Sequence, residues 1–581
     1  MPQPTIRKKI IRRLVDPELL NRLAHLHPVL RRVYAARRVA GPEELDYGLA
    51  GLPSPWLLSG MERLVDHLAE AIDAGRRILI VADYDADGAT SCAVALLGLR
   101  MLGAEEVEFL VPNRFEDGYG LTPEIVAQAA PRKPDVLITV DNGISSLEGV
   151  AAAKQRGWTV LVTDHHLPGA LLPDADAIVN PSLPADTFPS KSLAGVGVMF
   201  YVLLGLRARL RENGWFQRKG IAEPNLAQLL DLVALGTVAD VVPLDKVNRI
   251  LVHQGLQRIR AGQCRPGIRA LLEVAGKSLA NLTTAELGFR VAPRLNAAGR
   301  LDDMALGIKC LLAEDMAEAR ELAALLDAFN RERRGIEDKM KAEALSHLRS
   351  GRLYASAEDE LALCLFDESW HQGVIGILAS RVKDRLHRPV IAFAPGNDDL
   401  LKGSARSIAG IHIRDALSVV AARHPGLIER YGGHAMAAGL SVRRERYWDF
   451  VAAFRDAVAE HAEGLDLSHV VHTDGALESV ELCLSFAEDL RAAGPWGQNF
   501  PEPVFDGEFA VLQARVVGEK HLKLVLAVEG GRPLDAIAFH VDTPTAWLGQ
   551  EKLRIAYRLD VNEFRDVRGL QLLIDYLEPC G

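Results

Sequence analysis

The chain has 581 residues, 49% hydrophobic, 25% charged and 6% aromatic, which excludes a collagen, a coiled-coil rod and a wholly disordered chain and is length enough for roughly three or four domains. With 67 Lys+Arg against 77 Asp+Glu the net charge is −10, so no overall positive field draws a polyanion and any nucleic-acid site must be a local basic groove. The six cysteines (Cys92, Cys264, Cys310, Cys364, Cys483, Cys580) are scattered without a CxxC pair, which excludes a disulfide framework or thiolate zinc site and suits a reducing cytosol.

Residues 1–60 read as a basic, proline-punctuated segment with some helix. Arg7, Lys8, Lys9, Arg12 and Arg13 precede no long apolar run, so no secretory signal is expected. Arg31, Arg32, Arg37 and Arg38 are candidates for phosphate contact, beside the plainer reading of a solvated face. From 61 to 200, apolar runs suited to buried strands (78–82, 107–111, 136–140, 159–163) alternate with helical stretches such as 89–102 and 145–156. Such alternation predicts a parallel sheet with right-handed crossovers, the doubly wound α/β class. The longest uncharged apolar stretch, 192–206, falls short of the roughly 20 residues of a membrane span and reads as a buried helix, so no membrane association is expected.

From 225 to 345 the pattern turns helical, ending in a charged stretch, 315–348, on which Leu322, Leu325, Leu326 and Phe329 recur at helical spacing. This is the expected connector to a second α/β lobe with strands at 361–366 and 390–394. Beyond it, short runs at 504–517, 522–528, 536–540, 553–559 and 570–576 predict a small, OB-like β domain. Arg515, Lys520, His521 and Lys523 are its candidate contacts to a single strand. The expected organisation is 1–60 basic segment, 61–304 parallel-sheet domain, 305–349 connecting helix, 350–466 second α/β domain and 467–581 β domain.

The acids carry the sharpest signal. Asp83-Tyr84-Asp85-Ala86-Asp87-Gly88 follows the first strand, Asp141-Asn142-Gly143 the third and Asp164-His165-His166 the fourth. In an open parallel sheet the carboxyl ends share one edge, where ligand crevices form. Carboxylates gathered there repel one another unless cations neutralise them. Hard oxygens mixed with imidazole suit Mn²⁺ or Mg²⁺, and a pair of such ions bridged by a shared Asp suits displacement at phosphorus. Asp240, at the end of the apolar helix 226–235, is placed to complete the set. DYDADG also opens an EF-hand loop, but the twelfth position is Val94 where a bidentate Glu is required. Taken singly, an Asp after a strand is a helix cap and adjacent histidines are surface residues; the joint placement is what carries the chemistry.

In the second lobe, Gly403-Ser404-Ala405-Arg406-Ser407 and Gly432-Gly433-His434 pair side-chain donors with glycines that admit backbone N–H groups to phosphate oxygens, unless they are merely turns. Arg406, and from the first lobe Arg114 and Arg294, offer bidentate charge-assisted contacts. Tyr119 is a candidate for stacking on a base in a cleft that admits one strand and not a duplex.

The ordered motifs DYDADG (83–88), PNRFEDGYG (112–120), DNG (141–143), DHH (164–166) and GGH (432–434), with APRLNAAGR (292–300), HQGVIGILASR (371–381), GSARS (403–407) and PWGQNFPEPVF (495–505), resemble the DHH phosphoesterase superfamily and, within it, the RecJ family. The resemblance implies a DHH domain joined by a long helix to a DHH-associated α/β domain, plus a C-terminal OB-like domain. It implies a cytoplasmic 5′→3′ exonuclease on single-stranded DNA in recombination and repair. Such an enzyme releases mononucleotides with Mn²⁺ or Mg²⁺, expected as two ions. By resemblance Asp85, Asp87, Asp141, His165 and Asp240 are metal ligands, with Asp83 near them. His166, Asp141 and Asp83 form the catalytic set, His166 stabilising charge on the scissile phosphate. Arg114, Arg294, Gly403, Ser404, Arg406, Gly432, Gly433 and His434 take the 5′-terminal phosphate. Single-strand-binding protein and a RecQ-type helicase are the implied partners. One departure is Val81, at a place where the wider superfamily often carries a His. The competing readings are a DHH phosphodiesterase on short oligonucleotides or cyclic dinucleotides, and a non-catalytic RecJ-like scaffold; the retained acids favour an enzyme.

Overall fold

The computed structural model describes residues 8–114, 117–349, 361–465, 467–528, 531–541, 543–564 and 567–580. Two compact units emerge, one of Arg12–Asn330 with His472–Gly581, the other centred on Arg331–Val471.

In the first unit β1 (Ile78–Ala82), β2 (Val107–Leu110), β3 (Val136–Val140), β4 (Thr159–Thr163) and β5 (Ala177–Val179) form a wholly parallel sheet in the order β2-β1-β3-β4-β5. Every residue of β1 and β3 is buried, as expected of strands covered on both faces. The chain leaves β1 for β2 on one side and then crosses to β3 on the other, so the strand order reverses between β1 and β3, the place where such sheets open a ligand crevice. Helix α1 (Ala86–Met101) follows β1; α2 (Pro123–Ala129) and α3 (Leu147–Gln155) cover one face, packing Ile125 and Val150 with Val81 and Val162. On the other face α4 (Gly195–Glu212) lies so close to α1 that a Cβ on Gly98 would sit 2.2 Å from Leu203. Of the stretch expected as a buried helix, residues 195–206 form the first two thirds of α4. Helix α5 (Leu230–Ala239) is apolar and almost wholly buried, and it delivers Asp240 at its C-terminal end. Among the described residues no helix is long and apolar enough to cross a membrane, and the cysteines form no disulfide.

Helix α6 (Ala292–Leu301) is followed by a short helix, Ala305–Leu312, and then by α7 (Met316–Arg349). A single connector over 305–349 was expected; the helix is broken instead, because Ala313 turns to an extended ψ of 132° and Asp315 restarts the chain as a cap, accepting from the backbone N–H groups of Ala317 (2.8 Å) and Glu318 (3.0 Å).

The second unit holds β6 (Leu363–Phe366), α8 (Ile375–Leu386), β7 (Val390–Pro395), β8 (Leu400–Arg406), β9 (Arg430–Gly433) and β10 (Ala437–Arg443), in the sheet order β9-β10-β8-β7-β6. Only β6 and β7 pair in parallel.

Back in the first unit, β11 (Phe505–Val517), β12 (His521–Ala527), β13 (Leu534–Ala538), β14 (Lys552–Phe564) and β15 (Val567–Pro579) close a barrel in the order β11-β12-β13-β15-β14, the OB-like domain expected from the sequence. It shares one continuous core with the parallel-sheet lobe. The Leu244 N–H donates to the Gln498 carbonyl at 2.8 Å, and the Arg249 guanidinium lies 4.4 Å from the Phe500 ring centre. Lys523, a candidate strand contact, faces Asp535 of the neighbouring strand at 3.7 Å.

The N-terminal arginines differ from the phosphate-contact reading. The Arg37 side chain is 2% exposed and paired with Asp474 at 2.9 Å, while also donating to the Pro501 carbonyl at 2.7 Å. Arg32 donates to the Ala476 carbonyl at 2.8 Å. The helix Pro28–Ala36, which carries Arg32 and is capped by Arg37, stacks Tyr34 beside Trp496 and Phe500, so these two cations serve as internal ties.

Candidate metal centre

Strand register builds the site. Ala82, Val140 and Thr163 are mutually paired across β1, β3 and β4, so the next residues, Asp83, Asp141 and Asp164, form a row along the carboxyl edge, extended by hydrogen bonds from Asp83 N–H to Val140 O and from Asp141 N–H to Thr163 O. All three are buried. Local chemistry then aims each acid. Asp85 caps α1, accepting from the N–H groups of Asp87 (2.9 Å) and Gly88 (3.0 Å). Asp87, in the first turn of α1, is held by the N-terminus of α4 through Gly195 N–H (2.6 Å) and Val196 N–H (3.0 Å), a favourable place for a carboxylate. Residue 195 must be glycine, since a Cβ there would lie 2.6 Å from Asp141 Cβ and Oδ1. Asp141 adopts a left-handed φ of 62°, and the Asn142 amide beside it ties β1 to β3 by donating to Val81 O (3.1 Å) and Val140 O (2.9 Å). Asp240 arrives at the negative end of the α5 dipole, which adds to the need for a cation.

These side chains converge. His165 Nε2 lies 3.1 Å from Asp141 Oδ1, 3.5 Å from Asp240 Oδ2 and 4.0 Å from Asp87 Oδ2. Three overlapping trios, Asp141–His165–His166, Asp87–His165–Asp240 and Asp83–Asp85–Asp141, each bring one ligand atom per residue within 4.8 Å of the others. His165 Nε2 and Asp141 Oδ1, 3.1 Å apart, are both buried and without a hydrogen-bond partner among the described residues.

The electrostatics say the same. Burial, reinforced by the neighbouring carboxylates, pushes Asp83, Asp141 and Asp240 well above the usual carboxylate range and Asp87 up to about 7. Burial and the adjacent His166 charge bring His165 down to about 4, so its ring is neutral. His166 is the opposite case: burial disfavours its charge, but a 2.7 Å contact to Asp164 wins and raises it to about 9. Asp164, though buried, is held below its ordinary value by that same contact and by the Ile144 N–H. Clustered carboxylates that cannot all ionise, a neutral imidazole and unsatisfied lone pairs are the donor set of a divalent cation with oxygen and nitrogen ligands, so the residues fit the expected Mn²⁺ or Mg²⁺.

The chain matches the DHH family, N-terminal domain, over residues 77–237, the DHHA1 domain over 358–460 and the RecJ OB domain over 473–576. It is 57% identical over 557 residues to the single-stranded-DNA-specific exonuclease RecJ of Dickeya dadantii, covering 95% of this chain and 96% of that one. The chain belongs to the RecJ family. It is also 53% identical to the Escherichia coli RecJ, covering 98% of both. Among solved structures it resembles RecJ of Thermus thermophilus in complex with Mn²⁺, with a TM-score of 0.80 at 31% identity over 99% of this chain and 80% of that one.

Several supports of this RecJ-family site carried no role in the sequence reading. Asp164 opens the DHH triplet yet points at His166. Asn296, inside APRLNAAGR, accepts the Ala86 N–H at 2.8 Å through Oδ1, and a Cβ on Gly299 would lie 2.1 Å from the Tyr84 carbonyl oxygen, so α6 braces the first acidic loop. Val81 is buried in the core beside α2 and α3 and lends the site no donor.

Of the phosphate candidates, Arg114 lies 4.6 Å from the Tyr84 ring centre, next to the acidic loop; Phe115 and Glu116 of the same motif lie outside the described residues. Arg294 is buried and pairs with Asp327 at 2.8 Å. In the second unit, Ser404 and Arg406 share a 3.1 Å hydrogen bond, and a Cβ on Gly376, in the first turn of α8, would lie 2.9 Å from both side chains. Gly403 departs from expectation. It is buried in β8 between β7 and β10, where a Cβ would strike Phe393 (2.6 Å) and Leu440 (2.7 Å). Its glycine serves sheet packing, and its backbone is closed to a phosphate. Gly432 is exposed on the edge strand β9; Gly433 takes a left-handed φ of 138° that the turn to His434 requires.

Proposed function

We propose that this chain is a metal-dependent exonuclease that digests single-stranded DNA from the 5′ end to mononucleotides, with Asp85, Asp87, Asp141, His165 and Asp240 holding two Mn²⁺ or Mg²⁺ ions and Asp83 beside them. The observation that carries the reading is the meeting of His165 with Asp87, Asp141 and Asp240 within 4.0 Å, from four separate chain segments. Held by these residues, two such ions would supply an activated water and charge stabilisation for displacement at phosphorus. His166, fixed by Asp164, is set beside the phosphodiester, where it offers a hydrogen bond to the charge that develops there. Arg114, over the Tyr84 ring, offers a guanidinium to a neighbouring backbone phosphate. Ser404 and Arg406 at the N-terminus of α8, with Gly432, Gly433 and His434, take the terminal phosphate. The barrel suits a single strand because OB folds bind unpaired nucleic acid. This reading extends to a cytoplasmic role in recombination and repair alongside single-strand-binding protein and a RecQ-type helicase.

Digestion of one oligodeoxynucleotide labelled at each end in turn tests the polarity. The 5′ label is expected to appear first, as mononucleotide and only with Mn²⁺ or Mg²⁺; early release of the 3′ label, or release in chelator, contradicts the reading.

A further inference from the structure

Between the capping box of Thr283 and Glu286 and helix α6, residues Leu287–Val291 form a π-helical turn, a rare geometry that recurs at functional sites. Leu287 and Val291 are buried, whereas Phe289 between them is 76% exposed. The turn packs beside α5, the helix that delivers Asp240, and leads directly into α6. A Cβ on Gly288 would lie 3.3 Å from Val238 Cγ1, two residues before Asp240. Downstream, Asn296 holds the Ala86 N–H, and Phe289 lies seven residues earlier, about 10 Å along a helix axis.

Two other exposed apolar side chains adjoin site residues. Val241, next to Asp240, is 61% exposed and adopts a left-handed φ of 61°, an outlier for a β-branched residue. Tyr119, 47% exposed, sets its ring edge-on to His166, 6.0 Å between centres. Single exposed apolar side chains are ordinary; here Val241 directly follows Asp240, Tyr119 reaches His166 with its ring, and Phe289 precedes α6, the brace of the Asp85–Asp87 loop. A strand whose phosphate enters a carboxylate site must turn its bases away from the charges, and an aromatic face accepts any base.

We propose that Phe289, with Val241, forms a base-stacking rim of the metal centre that positions a nucleotide of the single strand while its phosphate meets the acids. The inference rests on the single-stranded DNA reading above and adds a positioning residue to it.

The test compares wild type, Phe289→Ala and Phe289→Trp, with Mn²⁺ binding as the check on an intact site. Steady-state kinetics are measured on a 5′-phosphorylated strand and on strands made abasic at successive positions, and binding is read from quenching of 2-aminopurine placed at those positions. Phe289→Ala is expected to raise KM about fivefold or more with kcat and Mn²⁺ binding retained, and Phe289→Trp to restore KM. One abasic position is expected to cost the wild type the same factor and Phe289→Ala nothing further. Digestion by wild type and Phe289→Ala with equal KM on the normal strand overturns the inference alone. A wild type that releases no nucleotide overturns the functional reading and this inference with it.

Discussion

Asp141→Asn is expected to lower Mn²⁺-dependent nucleotide release about a thousandfold or more, the scale of losing a group that acts within a catalytic unit. Asparagine keeps the shape and tolerates the left-handed φ of 62° that Asp141 adopts, so the effect isolates the charge. Stability should move the other way. Burial, with Asp87, Asp85, Asp83 and Asp240 around it, raises the Asp141 pKa in the fold. The metal-free fold therefore binds this proton more tightly than the unfolded chain does, and its stability falls as pH rises from the ordinary carboxylate range through the raised value. At neutral pH the substitution is expected to raise the melting temperature of the metal-free protein and to shrink the further rise that Mn²⁺ gives the wild type. Melting curves with and without Mn²⁺, beside release assays, check both; wild-type release or an unchanged metal-dependent rise contradicts them.

Asp474→Ala is expected to destabilise the protein by about 3–5 kcal/mol, the cost of leaving a buried charge without its partner. Asp474 is fully buried and pairs with Arg37 at 2.9 Å and Arg13 at 3.3 Å, while also accepting the Val504 N–H at 3.1 Å. The Arg37 side chain is itself 2% exposed and cannot turn to water without opening the core around Tyr34, Trp496 and Phe500. Equilibrium denaturation reads the effect. A change below about 1 kcal/mol, the range of an exposed pair, would return Arg37 to the surface role its sequence neighbourhood suggested.

That neighbourhood shows where sequence reading stops. A run of arginines looks the same whether it meets phosphate or a buried Asp474 more than four hundred residues away. The parallel strands were legible because burial on both faces writes an unbroken apolar run: 78–82, 136–140 and 159–163 coincide with β1, β3 and β4. The three-residue β5 is too short to leave such a mark. In the second unit β8, β9 and β10 were missed because LLKGSAR, RYGG and AAGLSVR carry glycine and cations where a strand pattern calls for alternating apolar residues. The same glycines were read as phosphate loops or turns, although Gly403 is glycine for the sake of Phe393 and Leu440. The acidic site was legible through chain order alone, because strand ends in one sheet share an edge. What spacing does not encode is the brace around it: Gly195 against Asp141 and Asn296 on Ala86 are contacts across long separations, and the turn of Asp164 onto His166, only two residues on, is set by local backbone geometry.

Anomalous scattering from crystals grown with Mn²⁺ tests the central claim most directly. Two peaks among Asp85, Asp87, Asp141, His165 and Asp240 are the expected result. A map with no peak at these side chains, from a protein that still releases nucleotides in Mn²⁺, would contradict it.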